Sequence, residues 1–145
     1  MSRGYFCVGL DNPKSSVNVG SALRATGIYG GAMLATTGIR YRKSGTDTMK
    51  HVRHLPLLQV DDLYKVIPYG CIPVAVDKVQ GAQPLPSYIH PERAFYIFGA
   101  EDNTLGKRVL GWCRDAVYVP MAGCMNLAAC VNVVLYDRIA KGGTP

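Results

Sequence analysis

No apolar run in these 145 residues approaches the roughly 18 needed to cross a bilayer. The first ten residues carry an early Arg3 but no apolar stretch long enough for a signal peptide, so the expectation is a cytoplasmic chain. Cysteine is sparse: Cys7, Cys71, Cys113, Cys124 and Cys130 are odd in number and scattered, without a C-x-x-C pair. That distribution argues against zinc or dithiol redox work and leaves reduced core thiols as the default. Histidine is rarer still. His51 and His54 stand close together, but no Cys or carboxylate is spaced to complete a set with them, so no metal is expected. A dinucleotide fingerprint G-x-G-x-x-G is missing after every candidate strand. The run GAEDNTLGKR at 99–108 fails as a phosphate loop, because its glycines are too far apart and Arg108, not Ser or Thr, follows Lys107. No His is placed by sequence to serve a catalytic thiol. Internal repeats, low-complexity tracts and linkers are also missing, so one domain over 1–145 is expected.

Acidic residues are few, ten against sixteen Lys and Arg, and the excess is uneven. Between residues 38 and 60 stand Arg40, Arg42, Lys43, Lys50 and Arg53 with Asp47 alone to oppose them, which accounts for four of the six net positive charges. Clustered bases suit a polyanion, because neutralised phosphates release counterions and drive association. These five are the candidate polyanion contacts, a nucleic acid being the polyanion considered. Tyr41 among them is placed either to stack on a nucleotide or to pack.

Apolar periodicity divides the remainder into alternating strands and helices. Strands are expected at 5–10, 32–36, 57–60, 72–76, 94–98 and 117–119. A helix capped by Ser16 or Asn18 runs to Ile28, a brief one capped by Asp61 runs to Ile67, and others cover about 105–114 and 125–138. Residues 47–54 are a further helical candidate, and 80–91 is a loop rich in Gly and Pro. This alternation is that of an α/β domain with a mostly parallel sheet, which binds ligands beyond the carboxyl ends of its strands. Gly99 and Met121 both follow strands, so their loops are expected to meet at one edge. The last helix is apolar nearly all round, so a second face must be covered by this chain or by another copy. Asn126 at its start either caps the first turn or closes a ligand loop.

Three separated blocks carry a resemblance: NVGSALR at 18–24, FGAE at 98–101, and Pro120-Met121 followed by CMNLAACVNVVLYD at 124–137. In order and spacing they resemble the three signature motifs of the SpoU/TrmH family of RNA ribose methyltransferases, and the short chain is similar to the minimal members that act on the wobble nucleotide of tRNA. The resemblance implies a sheet flanked by helices with a C-terminal deep trefoil knot. It also implies S-adenosylmethionine held in the knot, and a homodimer built on the first and last helices. The cofactor would lie against Val76, Gly99, Glu101, Val119, Met121, Cys124, Met125 and Leu127, much of it through backbone groups. Arg24 matches the catalytic arginine, with Asn18 and Asn126 beside it.

A guanidinium is a poor base, so Arg24 is expected to hold phosphate and stabilise developing alkoxide while the hydroxyl proton leaves to phosphate or water. The chain departs from its relatives at Cys124 and Ala128, where serines are common, and its loop 121–124 is shorter than in many of them. The activity implied is methyl transfer to a ribose 2′-hydroxyl of tRNA. The alternatives are an rRNA target and an RNA-binding protein without turnover.

Overall fold

A parallel sheet needs cover on both faces, and the burial pattern of the central strands meets that need. The computed structural model describes residues 4–41 and 55–142. Its strands are β1 (Tyr5–Leu10), β2 (Leu34–Thr37), β3 (Leu57–Val60), β4 (Ile72–Val76), β5 (Gln83–Pro84), β6 (Arg93–Phe98) and β7 (Asp115–Tyr118). They form one sheet in the order β3-β2-β1-β6-β4-β7-β5, and every pairing is parallel. Alternate residues divide the core between two faces. Phe6, Val8, Leu10, Tyr96 and Phe98 pack with Val19, Leu23, Val131 and Leu135 of the helices α1 (Ser16–Ile28) and α3 (Leu127–Ala140). Cys7, Phe95 and Ile97 face the other way, toward Leu63, Leu105 and the short helix α2 (Lys107–Trp112). Burying each of Phe95 and Phe98 contributes about 1.5–3 kcal/mol relative to exposure.

The expected elements are present with shifted ends. Ser15, not Ser16 or Asn18, caps α1, its side chain accepting from the Asn18 backbone N–H. Asp62 rather than Asp61 caps the next element, which is a single 3-10 turn over Leu63–Val66. Runs of Ser-Ser and Asp-Asp offer two equivalent caps, and only the packing register selects one. The 80–91 loop contains β5, whose Pro84 has no N–H to donate and so suits the sheet edge where it lies. The candidate helix at 47–54 lies outside the described residues. Tyr41 is fully buried with its hydroxyl 3.0 Å from Thr36 Oγ1, so it packs and does not stack on a nucleotide.

The C-terminal turns of α3 pin the loop before β6. Arg138 donates from Nη1 to the Pro91 carbonyl and from Nη2 to that of Glu92, each at 2.8 Å. It also donates to Tyr96 Oη at 3.1 Å, which turns the tyrosine hydrogen toward His90 Nδ1 at 2.7 Å. His90 then donates from Nε2 to Asp137 Oδ2 at 2.7 Å, and Lys141 reaches the same carboxylate at 2.8 Å. This chain suits a neutral imidazole. Burial pushes the His90 pKa below its ordinary value, with Lys141 and Arg138 acting in the same direction and Asp137 opposing.

Because the folded value lies below the unfolded one, the unfolded chain binds more protons in between and stability is lost as pH falls. The melting temperature is expected to drop as the pH falls through and below the ordinary histidine value of about 6.5, and His90→Gln should flatten that drop. An equal slope in both proteins would remove His90 from the account.

Candidate active site at the carboxyl edge of the sheet

β6, β4 and β7 are neighbours, so the loops that follow them leave the sheet side by side. Between them lies a cavity of ≈ 330 Å³ lined by Val76, Asp77, Lys78, Phe98, Gly99, Ala100, Glu101, Asn103, Thr104, Tyr118, Val119, Met121, Gly123, Cys124, Met125, Leu127 and Cys130. All eight residues expected around a cofactor fall in this lining, and the Gly99 and Met121 loops do share one edge. Gly99 sits where the loop folds back closely: a Cβ there would stand 3.2 Å from the Asn103 carbonyl oxygen, tighter than ordinary contact. Leu105 N–H is held by Asp77 Oδ2 at 2.9 Å, which ties the exit of β4 to the far end of the same loop.

Sequence reasoning missed Asp77 and Lys78. The signal was available, since they follow β4 as Gly99 follows β6, and the same rule about strand ends covers both. Cys124 is exposed in the cavity wall, where the resemblance has it, while Cys7 and Cys71 are buried as expected of core thiols.

Asn18, Glu101 and Asn126 come from three distant segments and meet in one hydrogen-bonded row. Its direction follows from its ends. The Ala129 N–H can only donate, so Asn126 presents Oδ1 to it at 3.1 Å and caps α3. Asn126 Nδ2 then faces Asn18 Oδ1 at 3.0 Å, and Asn18 Nδ2 donates to Glu101 Oε1 at 2.7 Å. The other carboxylate oxygen of Glu101 accepts from the Lys14 N–H at 3.0 Å. Desolvation raises the Glu101 pKa, but the hydrogen bonds from Asn18 and the backbone outweigh it and leave the carboxyl below its ordinary value. An ionised Glu101 is what the row requires at that end. Asn126 therefore caps the helix and also joins the row that ends on Glu101 in the cavity wall, while neither Asn126 nor Asn18 lines the cavity. Asn132, the other polar interruption of α3, bonds back to the Ala128 carbonyl at 2.9 Å.

Arg24 is not part of this row and does not line the cavity. It is exposed on α1, on the stripe that also carries Val17, Ser21 and Ile28. Val17 and Ile28 are 55% and 61% exposed, and Val133 and Tyr136 on α3 are 36% and 60% exposed. The apolar character of α3 thus outruns the cover that the described residues provide.

Of the five bases expected to contact RNA, Arg42, Lys43, Lys50 and Arg53 lie outside the described residues. Arg40 is engaged elsewhere, paired with Asp102. A second cavity of ≈ 410 Å³ lies between residues 86–92 and the end of α3. Its Arg138, Lys141 and His90 are committed to the loop contacts described above, which leaves the ≈ 330 Å³ cavity as the candidate site. Among the described residues, no group of three metal-ligating side chains occurs and no helix is long and apolar enough to cross a membrane.

A strand-end cavity lined by two distant segments that a third bonds together marks an α/β protein with a composite candidate site. The profile of the SpoU rRNA Methylase family matches residues 5–136, and the chain belongs to that family. Among solved structures it is similar to the SpoU methyltransferase AviRb from Streptomyces viridochromogenes in complex with the cofactor AdoMet, at 22% identity and a TM-score of 0.82. That match covers 95% of this chain and 58% of AviRb, so the chain spans little more than half of that relative. A structure described as giving insight into the 2-OH methylation of C/U34 on tRNA is 20% identical, with a TM-score of 0.79, over 97% of this chain and 92% of the other. The A. aeolicus TrmH/SpoU tRNA modifying enzyme is 18% identical, with a TM-score of 0.78, over 97% and 78%. No curated protein sequence matches the chain.

Proposed function

We propose that the chain is an S-adenosylmethionine-dependent methyltransferase acting on a ribose 2′-hydroxyl of RNA, tRNA before rRNA, in the cytoplasm. On this reading it is a homodimer whose C-terminal segment forms the deep trefoil knot implied by the motifs. The observation that carries the reading is the Asn126–Asn18–Glu101 row, which bonds the first motif block to the two blocks that line one cavity. Preference for tRNA rests on the likeness to the structure described for the 2-OH methylation of C/U34 on tRNA, 92% of which this chain covers.

The cavity fits such a donor. Its volume falls at the small end of the usual range of about 300–1,000 Å³ for ligand pockets. Val76, Val119 and Leu127 offer apolar walls, the space at Gly123 is open, and Asp77 and Glu101 supply negative charge suited to a cation. Val76, Gly99, Met121, Met125 and Leu127 would hold the donor. When bound, it supplies a methyl group already activated as a sulfonium.

What remains for the chain is to align the ribose hydroxyl and manage its proton. Arg24 serves as the cation that holds a phosphate and stabilises charge developing on the 2′-oxygen, and the proton passes to phosphate or water. Since Arg24 stands apart from its own cavity on a stripe bearing Val17 and Ile28, a second copy packed on that stripe would bring in its own Arg24.

Incubating the protein with tritiated S-adenosylmethionine and bulk tRNA is expected to label the RNA, and nucleoside mass analysis should find 2′-O-methylated nucleosides. Label confined to rRNA would reassign the substrate. Donor affinity without label on any RNA would make the chain a binding protein.

A further inference from the structure

Arg40 was grouped with the RNA-contacting bases by its place in the sequence, but its guanidinium points elsewhere. Nη1 and Nη2 meet the two oxygens of Asp102 at 3.0 and 3.1 Å, and Nη2 also donates to the Asn12 carbonyl at 2.7 Å. The fork-to-fork geometry fixes direction as well as distance. The backbone is shaped for it. Asn12 sits in the left-handed region at φ 52°, Gly38 opposite has φ 75°, and a Cβ on Gly38 would collide with the Asn12 side chain. Thr37 Oγ1 completes the corner, accepting from the Asn12 N–H at 2.9 Å and donating to Asp11 Oδ1 at 3.0 Å.

We infer that Arg40 is a positioning residue for the donor cavity: it clamps the Glu101-Asp102 turn from the ends of β1 and β2, and so holds Glu101 where Asn18 and the cavity wall need it. This rests on the reading of the cavity as a donor site. Asp102 follows Glu101 directly, and Gly99, Ala100, Glu101, Asn103 and Thr104 of the same loop form one wall of the cavity. The Lys14 N–H and the Asn18 side chain hold Glu101, and Arg40, itself anchored on the Asn12 carbonyl, holds Asp102 next to it. Both Nη atoms of a cation placed this way are turned to Asp102 rather than to a phosphate. Its loss should therefore loosen the donor, whereas loss of a phosphate contact would loosen RNA and reduce the salt dependence of binding.

The test measures S-adenosylmethionine affinity by calorimetry and tRNA affinity across a salt series for Arg40→Ala, Arg40→Lys, Asp102→Asn and the Arg40→Ala/Asp102→Asn pair. Arg40→Ala and Asp102→Asn are each expected to weaken the donor by about five-fold, with the pair no worse than either alone, as coupled residues behave. Arg40→Lys should recover little, because a point charge cannot replace the fork. The salt slope of tRNA binding should stay at the wild-type value. Donor affinity unchanged in Arg40→Ala, or a salt slope reduced by about 0.7–0.9, would overturn the proposal in favour of a phosphate contact. If Arg40→Ala does not fold, Asp102→Asn decides alone, since it removes the clamp and leaves every base in place. Failure of the wild-type protein to bind the donor would instead reject the reading of the cavity.

Discussion

Replacing Arg24 with alanine is expected to lower methyl transfer to RNA by about 10²–10³-fold, the scale for losing one preorganised charge-stabilising group. Donor affinity should stay near the wild-type value, because the side chain does not line the cavity. That division is what makes the variant informative. A residue serving α1 alone would change the melting temperature and leave both quantities alone, and a donor contact would change the calorimetry. Single-turnover transfer of a tritiated methyl group, run beside donor titrations, separates these cases. Arg24→Lys should recover part of the rate, since a point charge can still stabilise an oxyanion without the planar fork. Transfer that persists in Arg24→Ala would remove the catalytic assignment.

The second large effect is expected at the open face of α3. Val133→Glu places a charge on the exposed stripe of α3 that also carries Tyr136, and in the proposed dimer an unpaired charge left in the packed interface costs about 3–5 kcal/mol. The protein should fall from two chains to one by light scattering and lose transfer with it, while a lone chain keeps its sheet and both core clusters. Mixing supplies a sharper version. Gly123→Phe fills open space in the cavity wall and should block the donor without disturbing packing, as no atom lies within 4 Å of a Cβ built there. Co-expressed with Arg24→Ala, it should restore about a quarter of wild-type transfer, because half the pairs are mixed and each mixed pair owns one complete site. No recovery, with mixed pairs present, would place Arg24 in the same chain as the cavity it serves.

Much of this protein was legible before any coordinates. Apolar runs such as AFYIF at 94–98 fixed the strands, because residues buried on both faces of a parallel sheet leave few alternatives to Val, Ile and Phe. Element ends were less legible where neighbours compete, as at Ser15 and Ser16 or Asp61 and Asp62. Either residue can cap, and the choice depends on which register packs the apolar face. The cavity was approached correctly from Gly99 and Met121, since strand ends of a parallel sheet point to one edge. Asp77 was overlooked only because the rule was not applied to β4.

Local pattern determined the α/β class and the parallel sheet, because periodicity and strand-end position are properties of short stretches, whereas the three blocks stood out only through their resemblance to a family's motifs. The use made of individual side chains was decided in three dimensions. Arg40 looked like one base among five until Asp102, 62 residues away, took its guanidinium. Asn18 and Asn126 acquired their orientation only from Glu101 and the Ala129 N–H at opposite ends of their row. The physical reason is common to both: a hydrogen bond depends on distances of about 3 Å between atoms whose separation along the chain carries no trace of them.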